Sequence, residues 1–466
     1  MPKWFLGLEI LRLRAQNDTL FTSGHSERNV LCVGRTRCAG IIEPPSGGEL
    51  PKKEQPLTAT MHDVDLTAAQ AAAVRAIDDV ADDLIALSKF IHDNPEIALE
   101  EVRSSAASAD FLEERGFTVE RGVAGLPTAF AASAGAGQPR IAYLAEYDAL
   151  PGLGHGCGHN LIAIAGIGAG LGLAAALPHL GGRGRVDVFG TPAEEAVGGK
   201  VIMTKAGVFA GVDAALGAHP GTSEATCPTV EGSGEALACV LVKIGFHGRA
   251  AHAASDPFNG VNALNAVIEV FNGINALRQH ITADARIHGI ITHGGDVPNV
   301  VPHFAQAEFF VRAATLAAMN ELVEKVRHIA EGAALITGAS LEFEMPEEAY
   351  ADMITNYPMA SRLSHHLDAV GLQLPPAKAE PAMGSTDWAN VSYEVPSVET
   401  SYPIIDHVCT WHSQEVVQAA DSEMGYANTL TVARAMALTG IDLIVDQDLL
   451  ASVKDEFTRA KAARGA

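Results

Sequence analysis

The chain reads as an α/β protein: a mostly parallel sheet with helices on both faces, interrupted by an inserted ferredoxin-like α+β domain. Three observations predict this. Short apolar runs alternate with helical segments across residues 62–233, the pattern of parallel strands joined by crossover helices. Between about 234 and 346 the order becomes strand, helix, strand, strand, helix, strand, the ferredoxin-like signature. Composition agrees: 45 glycines, 48% hydrophobic and 6% aromatic residues suit an Ala/Gly-rich α/β core better than a sandwich or a disordered chain.

Taken in order, residues 1–61 mix polarities and carry Pro44-Pro45-Ser46-Gly47-Gly48, so they predict a poorly ordered extension, with Met61 as a second candidate start. Order is expected to begin near Asp65. From there Ile77, Val80, Leu84, Leu87 and Ile91 recur at spacings of three and four, predicting one amphipathic helix. A buried strand over 141–145 ends at Glu146-Tyr147-Asp148. Asn160 is the expected N-cap of a small-residue helix running to about Leu177, because its side chain can accept from first-turn amides. Further strands fall at 186–190 and 214–217. In the insert, a strand at 238–244 precedes a helix whose core residues are expected to be Val261, Leu264, Ile268, Phe271 and Ile274. Strands at 287–291 and 307–311, a helix over 316–336 and a strand at 340–343 complete it. Residues 347–466 should return to the first domain, and no internal repeat is present.

A chain of 466 residues can build two or three domains. Its 32 Lys and Arg against 56 Asp and Glu give a net charge of −24, which repels phosphate backbones and argues against a nucleic-acid partner. The six cysteines (Cys32, Cys38, Cys157, Cys227, Cys239, Cys409) show no disulfide spacing and suit a reducing, cytoplasmic setting. No membrane span is expected, and the start lacks a signal-peptide pattern.

Ligand-type side chains gather in four clusters at or just past strand ends, where open α/β sheets place their sites. These are DALPGLGHGCGHN from Asp148, GTPAEE from Gly190, GAHP from Gly217 and HVCTWHS from His407. Singly, each has an ordinary explanation: a chance Cys-x-His pair, a solvated acidic face, a turn. Together, a thiolate, imidazoles and carboxylates suit Zn²⁺ or a similar divalent ion, and the glycines around Cys157 and His159 allow a sharp turn. No strand–GxSxG–helix element supports a serine nucleophile.

In chain order, EYDALPGLGHGCGHN, GTPAEEAVGGK, GAHPG, FHGRAAHAA, GGDVPNVVP and GSTDWANVS resemble the aminoacylase/carboxypeptidase family of dinuclear metallopeptidases. Within it they resemble the Cys-Gly-His branch that includes p-aminobenzoyl-glutamate hydrolase and β-alanyl-lysine dipeptidase. The resemblance covers roughly residues 66–440. It implies two divalent metal ions, Zn or Mn, held by Cys157, His159, Glu195, His219 and His412, and Glu194 as general base and acid. Asp148 would fix a ligand histidine's tautomer. His155 and His407 are expected to be structural neighbours of the site, not ligands. Asn160 stands where related auxin-conjugate hydrolases carry Asp, which puts that part of the ligand surroundings in doubt.

The resemblance further implies a catalytic domain of 62–233 and 347–466, with 234–346 as lid and dimerisation domain of a homodimer. His252 would act on the reaction, reaching the partner's site, and Asn299 and Arg312 would face the substrate. Gly384 and Ser385 would wall the pocket. The implied function is hydrolysis of the amide bond of an N-acyl amino acid or small dipeptide by a metal-activated water. Narrower alternatives are a p-aminobenzoyl-glutamate-type hydrolase and a β-alanyl dipeptidase. A non-catalytic metal- or peptide-binding relative would be signalled by loss of Glu194 or a ligand, and all are present.

Overall fold

The computed structural model describes residues 64–380 and 384–465; the expected extension over 1–61 and Met61 lie outside the described residues. Among the described residues, ten strands form two sheets. The larger contains β1 (Thr118–Arg121), β2 (Phe130–Gly135), β3 (Arg140–Glu146), β4 (Arg185–Thr191), β5 (Ala214–Gly221) and β10 (Ser397–Pro403), in the order β1-β2-β4-β3-β5-β10. From β4 to β10 neighbours run parallel, while β1 and β2 form an antiparallel margin. β3 and β4 are buried almost throughout, which explains their continuous apolar runs.

Helices cover both faces. The first two are α1 (Leu66–Asp78) and α2 (Ala81–Asp93). Sequence periodicity predicts a single helix here; the chain instead breaks at Asp79-Val80, because the spacing of apolar residues survives a turn that redirects the axis. After α3 (Val102–Glu113) comes α4 (His159–Ala176), laid directly on β3: a Cβ on Gly166 would stand 2.3 Å from the Leu144 carbonyl oxygen. Only glycine permits that approach.

Asn160 does not cap α4. Gly158, at φ +82°, occupies the N-cap, and the Asn160 amide donates to Ser88 Oγ (2.9 Å) and the Ala420 carbonyl (2.8 Å). The expectation of no membrane-length apolar segment also needs correction. Two stretches, 159–180 and 423–445, are long and apolar enough to cross a membrane, with mean hydropathy 2.0 and 1.2, but they are 83% and 78% buried inside the protein. They are core helices that touch each other and the sheet.

The second sheet comprises β6 (Ala238–His247), β7 (Arg286–His293), β8 (Phe304–Ala313) and β9 (Ser340–Glu344), antiparallel in the order β7-β8-β6-β9. After α5 (Gly199–Lys205) on the main domain, α6 (Ala263–Leu277) and α7 (Leu316–Thr337) cover one face of this sheet around a separate apolar core. The buried face of α6 is Ala263, Ala266, Val267, Val270 and Ile274. Of the expected core residues, Ile274 is buried and Val261, Leu264 and Phe271 pack against the core, with Val261 preceding the helix; Ile268 is 42% exposed, and Ala263, Ala266, Val267 and Val270 complete the inner face. The chain returns through α8 (Tyr357–Ala369), α9 (Trp388–Ser392), α10 (Gln414–Ala419), α11 (Glu423–Val445) and α12 (Gln447–Ala463). Where it leaves and re-enters the main domain, Cys239 and Tyr350 exchange two backbone hydrogen bonds of 3.0 and 2.9 Å.

Candidate metal centre

Because β3, β4, β5 and β10 are parallel, their C-terminal ends share one edge of the sheet, and the loops leaving them meet there. The loop after β3 turns at Gly158, where a Cβ would stand 3.0 Å from Pro220, and delivers His159 as the first residue of α4. Asp148 Oδ1 accepts from His159 Nδ1 at 3.0 Å, which turns Nε2 toward the loops and, in the neutral ring, favours the tautomer that offers its lone pair there. His219 is fixed the same way: its Nδ1 donates to the Pro220 carbonyl at 2.7 Å, and Nε2 lies 3.4 Å from Cys157 Sγ.

The turn after β4 carries the two glutamates. Ala193 is held at φ +62°, a left-handed conformation unfavourable for alanine. Three side chains from distant segments pin this turn. Glu101 Oε1 accepts from Ala193 N (2.9 Å), Asp148 Oδ2 accepts from Glu195 N (3.0 Å), and the Tyr350 hydroxyl donates to the Glu194 carbonyl (2.7 Å). Glu195 Oε1 consequently stands 3.8 Å from His159 Nε2 and 3.5 Å from His412 Nε2. His412 is also in the left-handed region, at φ +58°.

Three overlapping sets have candidate ligand atoms within 4.8 Å of one another: Cys157, His159 and His219; Cys157, Glu195 and His412; His159, Glu194 and Glu195. Two observations fit them to divalent cations. The donor set of thiolate, imidazole and carboxylate is that of a Zn²⁺-type ion. Buried His159 Nε2 and Glu195 Oε1 also have no hydrogen-bond partner, a cost that a bound cation removes.

The charges are set by neighbours. Burial alone would raise the Asp148 carboxyl, but the His159 imidazole and the Glu195 N–H hold it at about 2. Burial also opposes a thiolate at Cys157, yet His219 and His159 beside it hold the thiol well below its usual range. Glu194 is pushed well up, by burial first and then by Asp387 and Glu146.

A cavity of about 1030 Å³ opens from this centre toward the inserted domain, enough for a small peptide. Glu194, Glu195 and His412 lie at one end, and Arg312, Gly384 and Ser385 line its wall. Arg312 donates to Ser385 Oγ at 2.8 Å. His252 and Asn299 are exposed and do not line this cavity of their own chain. The His252 Nδ1 accepts from Ala254 N and Ser255 N, each at 3.2 Å, and so caps its own turn. His155 is buried, its Nε2 donating to the Ile91 carbonyl at 3.1 Å, and His407 sits exposed between Asp406 and Glu415; neither joins the candidate ligand sets.

Sequence reasoning missed a buried group beneath the centre. Lys200, fully enclosed, contacts Glu146 Oε1 at 2.8 Å and also Asp387 Oδ1. The available signal was a lysine inside the apolar run GGKVIM, since a lysine is fully buried almost only when paired.

Ligand-type groups that fit divalent cations, with Glu194 beside them at the sheet's C-terminal edge, suit a metal-dependent hydrolase. A family profile described as the peptidase dimerisation domain matches residues 240–337. The Xaa-Arg dipeptidase of Mus musculus is 35% identical, over 88% of this chain and 96% of that protein. A p-aminobenzoyl-glutamate hydrolase chain of Escherichia coli (strain K12) is 31% identical, over 78% and 90%. Among solved structures, a putative aminohydrolase from methicillin-resistant Staphylococcus aureus shares the fold with a TM-score of 0.65 at 20% identity, over 80% of this chain and all of that one. A Bacillus subtilis dinuclear metal binding peptidase from the M20 family does so at 0.54 and 23%, over 76% and 98%. The chain belongs to the M20 family of peptidases.

Proposed function

We propose that this enzyme is a dipeptidase that releases a C-terminal residue with a cationic side chain. The observation that carries the reading is Glu347, which lines the cavity. It has no ion-pair partner among the described residues, and burial, then Glu308, raises its carboxyl above the ordinary range. A guanidinium or ammonium entering the cavity would relieve that group. Neighbouring Glu348 is already paired with Lys205. The name Xaa-Arg dipeptidase on a 35% identical relative supports the same reading.

Cys157, His159, Glu195, His219 and His412 would hold two divalent ions, Zn or Mn. Such ions supply acidity to a water and polarise the scissile carbonyl. Glu194 takes the proton from the attacking water and delivers it to the departing amine. Asp148 keeps the His159 tautomer fixed, Arg312 and Ser385 receive the substrate carboxylate, and Gly384 leaves room beside them. The protein would work as a homodimer in which His252, exposed in its own chain, and Asn299 complete the partner's site. The matched dimerisation profile and the exposed edge strand β7, with Ile290 at 65% and Ile291 at 43% exposure, support that assembly.

A second reading has its own observation: Arg286 and Arg312 both line the cavity, which favours a substrate with two carboxylates such as an acyl-glutamate. The test is a panel of Xaa-Arg, Xaa-Lys, Xaa-Glu and p-aminobenzoyl-glutamate substrates on wild type and Glu347→Gln. We expect basic dipeptides to lead and Glu347→Gln to erase that lead. Preference for the glutamate compounds would replace the first reading by the second.

A further inference from the structure

We infer that Trp411 is a positioning residue of the metal centre: its indole N–H donates to the Cys157 sulfur and clamps the loop that carries His412. Trp411 Nε1 lies 3.3 Å from Cys157 Sγ. An indole N–H can only donate, so the direction of this bond depends on no tautomer or protonation state. The acceptor is buried and belongs to two of the three candidate ligand sets. A ligand thiolate keeps lone pairs that the ion does not use, and a donor aimed at one of them makes a charge-assisted bond. Such a bond also draws electron density from the sulfur and so tempers what it gives to the ion.

The loop itself shows why a clamp is needed. After β10 the chain runs along the surface, with Asp406, His407, Val408, Thr410 and His412 all exposed. Trp411 is half-buried and, with Cys409, packs against the main core. Its ring also leans on His219, with centroids 6.1 Å apart and planes at 48°. His412 follows in a left-handed backbone at φ +58°, a conformation that persists only where neighbours hold it. The indole therefore ties the loop after β10 to Cys157 in the loop after β3 and to His219 on β5. That tie keeps His412 Nε2 3.5 Å from Glu195 Oε1.

This inference rests on the reading that Cys157 and its neighbours bind divalent ions, and the experiment keeps the two claims apart. Three proteins are compared: wild type, Trp411→Phe, and the chain with benzothienylalanine at position 411, an isostere of tryptophan with sulfur in place of the N–H. Each is loaded with cobalt(II), whose absorption spectrum contains the sulfur-to-metal charge-transfer band. Each is also loaded with zinc and titrated against a chromophoric chelator. We expect both replacements to move the band to longer wavelength, because the sulfur lone pairs lose a stabilising donor. Both should also bind zinc ~10-fold or more weakly, while the metal-free forms melt near the wild-type temperature. The isostere fills the same space as the indole, so it carries the test should Trp411→Phe fold poorly. An unshifted band and wild-type zinc affinity in the isostere would overturn the inference and leave Trp411 as packing alone, whatever Trp411→Phe does. A wild-type protein with no bound metal, or with no charge-transfer band, would overturn the underlying reading instead.

Discussion

The main domain and the inserted domain handle their surfaces differently. In α4 sixteen of eighteen residues are buried; in α6 five of fifteen are. The large sheet is covered on both faces, whereas β7 of the small sheet leaves Ile290 and Ile291 outside. The difference follows from what each part holds. Metal-ligand side chains must stay within a fraction of an ångström of their geometry, and the candidate ligands Cys157 and His159 spring from buried structure, whereas His412 is exposed. A domain with a one-sided core keeps surface free, and the cavity is walled from both sides, by Arg286, His288 and Arg312 of the insert and by Glu347, Gly384 and Ser385 of the returning segment.

The largest effect that should separate the regions is removal of divalent metal. Chelation should abolish amide hydrolysis and divalent ions restore it, with the inserted domain's circular dichroism unchanged; full activity in a verified metal-free preparation would remove the distinction. Glu194→Gln should come next, lowering turnover at least ~10²-fold while zinc content and melting temperature stay near wild type. Loss of metal in that variant would move the proton-transfer role elsewhere.

Packing gives the third contrast. Gly166→Ala forces a methyl group against the Leu144 carbonyl and should destabilise the main domain by about 1–3 kcal/mol in urea unfolding. The smallest effect belongs to the insert. Ile290→Ser on exposed β7 should change unfolding of the monomeric chain by no more than ~0.5 kcal/mol, while sedimentation shifts toward monomer if β7 joins the copies. An unfolding change as large as that of Gly166→Ala would show that the two domains are equally intolerant.

The same contrast governs what could be read in the sequence. Alternating apolar runs disclosed the parallel strands, and the altered element order disclosed the second sheet, because both patterns are local. The four motifs stood out because glycines and ligand-type side chains crowd into a few residues. Glu146, Lys200 and Asp387 did not stand out. Their grouping depends on strand ends and a helix brought together across 187 residues between Lys200 and Asp387. The break at Asp79-Val80 was hidden because apolar spacing continues through it, and Asn160 was misplaced because Gly158 takes the cap by its left-handed backbone. On α6, Leu264, Phe271 and Ile274 face the core as expected, while Ala263, Ala266, Val267 and Val270 beside them went unremarked and Ile268 turned outward.

The turn carrying Glu194 has a mechanical consequence. A left-handed alanine costs on the order of 1–3 kcal/mol, and the bonds from Glu101, Asp148 and Tyr350 pull against that tendency to relax. A joint loaded from opposite sides has no backlash: it returns to one position after every displacement. Glycine at 193 would unload the joint and leave the carboxylate free to rattle. Tyr350 also belongs to the strap entering and leaving the inserted domain, so one of the three tensioning members is anchored at the junction of the two domains.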